Sequence, residues 1–172
     1  ASDVYKRQKL KTVNWKLSTV NRKSMTQTCR IEGEADIYAA AGLARGMAYG
    51  MGFGEADAAR IEIAVRELAT NIIRHASHGA IHIRAVVDGN RQGVEVEAVD
   101  QGPGIADVEL AMQDGYTTSG KGLGSGLPAV RRLMDTFEIE TAAGQGCRVR
   151  AVRWLRRPTD WLRRWWEQQK RQ

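Results

Sequence analysis

The sequence has few cysteines and no long apolar run. Its two cysteines, Cys29 and Cys147, lie far apart in a chain of 172 residues and form no CxxC pair, which argues against a disulfide framework or a cysteine-based zinc site. No stretch approaches the roughly 18 apolar residues of a membrane-spanning helix. The N-terminus also lacks the charged-then-apolar pattern of a signal peptide. We therefore expect a cytoplasmic protein in a reducing compartment.

Positive charge is scarce in the middle of the chain. Residues 31–147 carry nine Lys and Arg against seventeen acidic residues, a net charge of −8, whereas residues 1–30 and 148–172 each carry +7. The overall charge of +6 thus describes an acidic body between two basic ends. Because the positive charge lies outside the part expected to fold, we discount nucleic acid as a partner.

Composition divides the chain into three parts. We interpret residues 1–24 as a disordered basic leader, because their apolar periodicity is weak, and Met25 as a natural start. Residues 25–155 are expected to form one globular domain, and residues 156–172 a basic, Trp-rich amphipathic helix. For this last segment we favour packing on its own domain, on a second copy or on a partner over a membrane surface, which stays an alternative.

Two periodicities alternate in the central part and predict an α/β protein. Helical spacing begins at Ile37, with Asp36 as its cap, and again over residues 55–76, where Gly79 ends it; a third helix follows Gly126. Strand-like alternation covers residues 81–87, 94–100, 137–141 and 147–154. We expect a two-layer α/β sandwich, with helices packed on one face of a mixed, mostly antiparallel sheet.

The second predicted helix carries a line of polar residues. Glu67, Asn71, Arg74 and His75 share one side. They lie beside an apolar stripe formed by Ile61, Val65, Leu68, Ile72 and Ala76. A carboxylate there can take a proton, and an amide oxygen is a hard ligand that suits Mg²⁺. The alternative is an ordinary solvated helix face.

An acidic residue followed by glycines ends the second of the predicted central strands. Asp100 lies where α/β folds place ligand groups, and its carboxylate can accept a hydrogen bond from the exocyclic amine of a base. Gly102 and Gly104 allow the backbone to approach a planar ring. The alternative is a plain strand-to-helix turn.

A glycine-rich stretch precedes the third predicted helix. Gly122, Gly124 and Gly126 leave backbone N–H groups free to face an anion, and the helix N-terminus adds a positive dipole end. The stretch has neither the Lys-Ser/Thr ending of a P-loop nor the GxGxxG spacing of a dinucleotide site. A Leu-Pro-apolar helix follows at once, which favours phosphate binding over a flexible linker.

Three histidines raise the alternative of a metal centre. His82 lies on a predicted strand, beyond the glycine that separates it from His75 and His78 on the preceding segment. No cysteine is nearby, so we favour ordinary polar packing for all three.

The order of these elements is more specific than each alone. ExxxN on a helix, DxGxG after a strand and GxGxG before a helix resemble the N, G1 and G2 boxes of the GHKL (Bergerat-fold) ATPases. The segments at residues 67–76, 114–116 and 126–135 are similar to the small serine kinases and anti-sigma regulators of the RsbT/RsbW type, closer to the RsbT-like side. The resemblance covers about residues 28–152.

The resemblance implies binding of ATP and Mg²⁺ and transfer of phosphate to a serine of a STAS-type antagonist protein. It makes Glu67 the general base, Asn71 the Mg²⁺ ligand and Asp100 the partner of the adenine amine. Gly102 and Gly104 would shape the adenine wall, and Gly122, Gly124 and Gly126 a lid over the phosphates. One departure is Cys147, which stands where the family usually has threonine.

Several functions stay open at this point. The first is a serine/threonine protein kinase that regulates by partner switching, for example in a stress response, with a sigma factor or a downstream phosphatase as further partner and a homodimer as one assembly. The alternative is an anti-sigma binding module with little turnover. The presence of Glu67 favours the kinase, because a module that only binds needs no base. A histidine-kinase catalytic domain is disfavoured by the short glycine-rich lid and the absence of a phospho-acceptor helix.

Overall fold

The computed structural model describes residues 8–9, 26–113 and 126–156. The first half of this part contains β1 (Gln8–Lys9), β2 (Thr26–Ile31), α1 (Glu34–Gly50), α2 (Glu55–Ala76) and β3 (Gly79–Asp88). The second half contains β4 (Arg91–Asp100), the short α3 (Val108–Ala111), α4 (Gly126–Leu133), β5 (Thr136–Thr141) and β6 (Cys147–Trp154). The predicted helix over residues 55–76 is confirmed, whereas α3 has no counterpart in the prediction.

The strands form one six-stranded sheet in the order β1-β5-β6-β4-β3-β2. Every pairing among the described strands is antiparallel, so the predicted mixed character is not found there. A tight turn at Asp88-Gly89-Asn90 joins β3 and β4, and Gly89 adopts a φ of 57° that suits glycine. The predicted two-layer α/β architecture is confirmed.

The core lies between one face of the sheet and the helices α1, α2 and α4. Helix α1 presents alanines to it, and these small side chains let α2 approach closely. The predicted stripe of α2 is buried at Ile61, Val65, Leu68 and Ile72, whereas Ala76 is half-buried. From the sheet the core receives alternate residues, which include Ile81, Ile83, Val94, Val96, Ile139 and Val149.

Helix α1 begins earlier than predicted. It begins at Glu34 with Gly33 as its cap, and the Asp36 carboxylate lies within the first turn. That carboxylate accepts hydrogen bonds from the backbone N–H groups of Glu32 and Gly33, both at 2.9 Å. Asp36 therefore stabilises the helix start from inside the helix, because a side chain three positions in can reach back to the free N–H groups.

The other face of the sheet carries charged side chains. Glu95 and Glu97 are each only 4% exposed, and Arg84 on the neighbouring strand donates to both, at 2.9 and 2.7 Å. His82 lies on this same face, where its ring bonds the Thr28 hydroxyl at 2.9 Å. The structure therefore places His82 in a polar contact of the outer sheet face, whereas His75 and His78 are exposed near the end of α2.

A buried arginine joins the start of α2 to the sheet. Arg153 on β6 is 6% exposed and donates to the carboxylates of Asp57 at 2.5 Å and Asp135 at 3.1 Å. Asp135 also accepts from the backbone N–H of Trp154 at 2.8 Å. This arrangement fixes the end of α4 and the start of α2 on the last strand.

Some predictions lie outside the described residues. These are the basic leader, apart from the two residues of β1, the Trp-rich helix beyond Arg156, and the lid glycines Gly122 and Gly124. The proposed division of the chain into three parts therefore stays a prediction. Within the ranges that the structure describes, none of the helices combines the length and the apolar character needed to cross a membrane.

Candidate functional site

The polar line of α2 lies along the edge of the core. Glu67 and Asn71 are half-buried, one helical turn apart, next to the buried Leu68 and Ile72. Farther along the helix, Arg74 and His75 are exposed. The sequence therefore placed the carboxylate and the amide correctly at a rim, because spacing along a helix fixes which residues share a side.

The first residue of α4 packs against Asn71. A Cβ atom added to Gly126 would lie 3.1 Å from the Asn71 Nδ2 and 3.2 Å from its Oδ1. A side chain at this position would press on the amide, so glycine lets the start of α4 lie this close without displacing Asn71. The predicted Mg²⁺ ligand and the last glycine of the predicted lid are therefore neighbours.

Asp100 ends β4 and organises the loop that follows. Its Oδ1 accepts a hydrogen bond from the Gly102 N–H at 2.9 Å, so the side chain folds over its own loop. Gly102 lies against the end of α2, where an added Cβ would be 2.7 Å from the Ala76 Cβ. The loop after Asp100 and the C-terminal end of α2 are therefore in direct contact.

Gly79, the first residue of β3, also lies between α2 and the end of β4. It pairs with Asp100 across the sheet, and an added Cβ would lie 2.6 Å from the Val99 carbonyl oxygen and 2.9 Å from the Ile72 Cγ2. The prediction that Gly79 ends α2 is wrong. The helix ends at Ala76, and Ser77 turns the chain with a φ of 66°, whereas Gly79 is glycine because β3 and α2 meet there.

The β5–β6 turn packs against the loop that follows Asp100. Gly104 has a φ of 68°, and an added Cβ would lie 2.0 Å from the Ala142 carbonyl oxygen. Gly146 has a φ of 75°, and an added Cβ would lie 2.2 Å from the Asp100 carbonyl oxygen. The Gly144 N–H also donates to the Pro103 carbonyl at 2.7 Å. The two loops therefore form one wall.

Cys147 lies in that wall, directly opposite Asp100 in the pairing of β4 and β6. Burial, and after it the negative charge of the Asp100 carboxylate, raise the pKa of its thiol to about 12, although a hydrogen bond with the Thr141 side chain acts in the opposite direction. The side chain therefore stays a neutral thiol at physiological pH. It is a weak hydrogen-bond donor at the position where a threonine hydroxyl was expected.

Sequence reasoning missed two members of this wall. The sequence indicates Gly146 only as a residue between two predicted strands, and Thr141 only as the end of a strand. The spacing of Gly144 and Gly146 is the one signal that pointed to a special backbone. Their contact with the Asp100 loop joins segments about forty residues apart, and no local pattern reveals such a contact.

The residues present fit a nucleotide with a divalent cation. Asn71 offers an amide oxygen, and Gly126 leaves a space beside that amide which a Cβ would fill. Asp100 offers a carboxylate at the end of β4, beside the wall formed by the two loops. An oxygen ligand suits Mg²⁺, and a carboxylate suits an exocyclic amine. The arrangement can therefore hold a base at one end and phosphates at the other.

Comparison with known proteins gives one family and several relatives. The family described as "Histidine kinase-like ATPase domain" matches residues 34–153. Serine/threonine-protein kinase RsbT of Bacillus subtilis (strain 168) is 50% identical over 131 residues, which are 76% of this chain and 98% of that protein. Anti-sigma F factor of Thermoanaerobacter sp. (strain X514) is 36% identical over 102 residues, 56% of this chain and 70% of that protein.

A comparison with solved structures gives a more distant match. The crystal structure of full-length ShkA in complex with AMPPNP has a TM-score of 0.47 and 22% sequence identity, and the match covers 70% of this chain and 30% of that one.

Proposed function

The chain belongs to the histidine kinase-like ATPase domain family and is by class a serine/threonine-protein kinase, and we propose that it is a partner-switching regulator. In this proposal it binds ATP with Mg²⁺ and phosphorylates a serine of a STAS-type antagonist protein. The 50% identity to a serine/threonine-protein kinase, over nearly the whole of that protein, supports the enzyme class. The acceptor, the cation and the residue roles are argued from the site.

Asp100 is proposed to recognise the adenine base. One of its carboxylate oxygens is engaged by the Gly102 N–H, so the carboxylate has a fixed orientation at the end of β4. Its other oxygen would accept a hydrogen bond from the exocyclic amine of adenine. Gly102 and Gly104, which lie against Ala76 and Ala142, keep the floor of this region free of side chains.

Asn71 and the start of α4 are proposed to face the phosphates. Mg²⁺ held by the Asn71 amide oxygen would neutralise charge on the phosphates. Gly126 opens α4, whose first N–H groups have no partner within the helix and suit an anion. Gly122 and Gly124 would belong to the same phosphate-binding stretch, as the sequence predicts.

Glu67 is proposed as the general base. It lies one helical turn before Asn71 on the same side of α2, next to the region assigned to the phosphates. Its carboxylate would take the proton of the acceptor serine hydroxyl as that oxygen attacks the γ-phosphoryl group and ADP leaves. Positioning and charge neutralisation would supply most of the rate.

One observation supports this proposal above the others, which is that the start of α4, the loop after Asp100 and the start of β3 all meet on the C-terminal part of α2. Gly126 touches Asn71, Gly102 touches Ala76, and Gly79 joins Ile72 to Asp100. An added side chain would overlap with neighbouring atoms at Gly79 and Gly102 and would press on the Asn71 amide at Gly126, so glycine favours this meeting point at all three positions. A polar helix face with no ligand does not need such an arrangement.

An anti-sigma binding module is the second candidate. The 36% identity to a protein named Anti-sigma F factor supports it. In that case a sigma factor would be the partner. In the kinase case a downstream phosphatase or other regulator is released when the antagonist changes its phosphorylation state. Either function is compatible with a homodimer.

Phosphate transfer to candidate acceptors separates the two. The full-length chain is incubated with Mg²⁺, ATP labelled at the γ-phosphate and purified single-domain STAS proteins, each beside a variant whose central serine is alanine. We expect label on one serine-containing STAS protein and none on its alanine variant. Binding of ADP by calorimetry without transfer to any STAS protein would favour the binding module. Absence of heat with ADP and Mg²⁺ would contradict both.

A further inference from the structure

The side chain of Thr141 joins the two loops of the proposed adenine wall. It is 9% exposed at the end of β5. Its Oγ1 accepts a hydrogen bond from the Ile105 N–H at 2.9 Å and donates one to the Gly146 carbonyl oxygen at 2.9 Å. A single hydroxyl therefore bonds the loop after Asp100 on one side and the β5–β6 turn on the other.

The position of Thr141 in the sheet brings it into line with the proposed base-binding residue. Thr141 pairs with Cys147 on β6, and Cys147 pairs with Asp100 on β4. Paired residues of antiparallel strands point to the same face, so the three side chains form one row across the sheet. A change at Thr141 thus lies two strands from the Asp100 carboxylate.

Within the part of the chain that the structure describes, one backbone hydrogen bond outside the sheet also joins these two loops. The Gly144 N–H donates to Pro103, while the contacts of Gly104 with Ala142 and of Gly146 with Asp100 are close packing of backbone atoms. Packing of this kind does not by itself hold the two loops in position. Thr141 fixes them by pairing with the N–H of the half-buried Ile105 and with the carbonyl oxygen of the buried Gly146.

We propose that Thr141 is a positioning residue for nucleotide binding, whose hydroxyl clamps the Asp100–Gly104 loop against the β5–β6 turn. The proposal rests on the proposed function for its effect on nucleotide affinity. It assigns no contact between Thr141 and the nucleotide. The hydroxyl instead holds the loop that follows Asp100 at a fixed distance from the turn that precedes Cys147.

The test compares two substitutions with a matched control. Thr141→Val keeps the shape of the side chain and removes both hydrogen bonds, whereas Thr141→Ser keeps the hydroxyl. Thr136→Val makes the same chemical change at the other end of β5, away from the loops. Thermal denaturation of all variants establishes that they fold.

Two measurements are made on each variant. Amide hydrogen exchange of Ile105 in the nucleotide-free protein reports the clamp itself, and we expect Thr141→Val to accelerate it by about tenfold or more. Calorimetry with ADP and Mg²⁺ reports affinity, and we expect Thr141→Val to raise Kd by about tenfold or more. In Thr141→Ser and Thr136→Val, we expect both the exchange rate of Ile105 and the Kd for ADP to stay close to those of the unchanged protein. A general loss of stability would not produce this difference between the variants.

The outcomes are distinguishable. Unchanged exchange at Ile105 in Thr141→Val would show that the clamp does not exist. Faster exchange with unchanged ADP affinity would overturn the positioning role. If the unchanged protein binds no ADP, the proposed function fails, and the exchange at Ile105 by itself decides whether the clamp is real.

Discussion

The amide of Asn71 lies directly against the backbone of Gly126. No side chain separates them, since a Cβ at position 126 would be 3.1 Å from the Asn71 Nδ2. This contact connects the C-terminal part of α2 with the first residue of α4, although the two residues are far apart in the chain. It brings together the two groups to which we assign the cation and the phosphates.

Substitution Gly126→Ala should weaken nucleotide binding by displacing Asn71. The added methyl group would press on both polar atoms of the amide, so either α4 or the amide must shift. We expect the Kd for ADP with Mg²⁺ to rise about tenfold or more, because the phosphates would lose charge-assisted hydrogen bonds from the start of α4. Calorimetry with and without Mg²⁺ measures this. An unchanged affinity would show that Asn71 and the start of α4 hold no ligand.

The matched control, Gly42→Ala, carries a prediction of its own. Gly42 lies inside α1, and an added Cβ would have no other atom within 4 Å. Alanine loses less backbone entropy than glycine in a helix, so we expect the free energy of unfolding to increase by about 0.5–1 kcal/mol. Urea denaturation measures the change. A decrease in stability would mean that the glycine is needed for a close approach to α1.

Substitution Asp100→Asn should abolish tight binding of adenine nucleotides. The amide oxygen can still accept from the Gly102 N–H, so the loop keeps its turn. The new NH₂ group, however, would face the adenine amine as a second donor, and we expect Kd to rise by about ten- to a hundredfold. Calorimetry with ADP measures it.

The control for this change is Asp107→Asn, in the same connection. Asp107 caps α3 by accepting from the Leu110 N–H at 2.9 Å, and its substitution should leave nucleotide affinity unchanged. Equal loss of affinity in both variants would assign the effect to the loop as a whole and not to the Asp100 carboxylate.

Substitution Glu67→Gln should preserve nucleotide binding and remove phosphate transfer. Glutamine has the same shape as glutamate but cannot take the serine proton, and a general base contributes about 10²–10⁴-fold to the rate. Calorimetry with ADP and transfer of labelled phosphate are measured on the same preparation. Glu34→Gln, an exposed change at the start of α1, serves as control. Transfer at the original rate in Glu67→Gln would refute the base assignment.

Substitution Asp57→Asn should destabilise the fold at neutral pH. Burial is the largest influence on the Asp57 carboxyl and acts to raise its pKa, but the hydrogen bond and charge of Arg153, with Arg60 in addition, together lower the pKa below the ordinary 3.8. The buried Arg153 would lose its nearest carboxylate, so we expect the free energy of unfolding to fall by about 1.5–3 kcal/mol at pH 7.

This loss should depend on pH with a defined sign. A carboxyl whose pKa is lower in the folded state stabilises the fold above its unfolded pKa, and the contribution disappears as pH falls through the folded value. The difference between the unchanged protein and Asp57→Asn in urea denaturation should thus shrink from pH 7 to pH 3. Asp88→Asn, at an exposed turn pair, should have little effect at either pH. A constant difference across this range would contradict the coupling.

Local patterns in the sequence were sufficient for the elements and for the polar groups of the site. The stripe of Ile61, Val65, Leu68 and Ile72 predicted α2 and its buried face, because helical spacing alone decides which side chains share a side. The same rule placed Glu67 and Asn71 at the rim. The alternation in β3 and β4 likewise predicted the strand pair that ends at Asp100.

Only the tertiary structure showed how these groups meet. The sequence determined Asn71, Asp100 and the glycines as candidates, yet their contacts through Gly126, Gly102 and Gly79 depend on how helices and strands pack. The clamp of Thr141 between Ile105 and Gly146 belongs to the same class. Periodicity reports the environment of a residue along its own element, whereas the distance between two elements is set by the whole core. The chemical groups of the site can therefore be predicted from the sequence, whereas their relative positions depend on how the helices and strands pack.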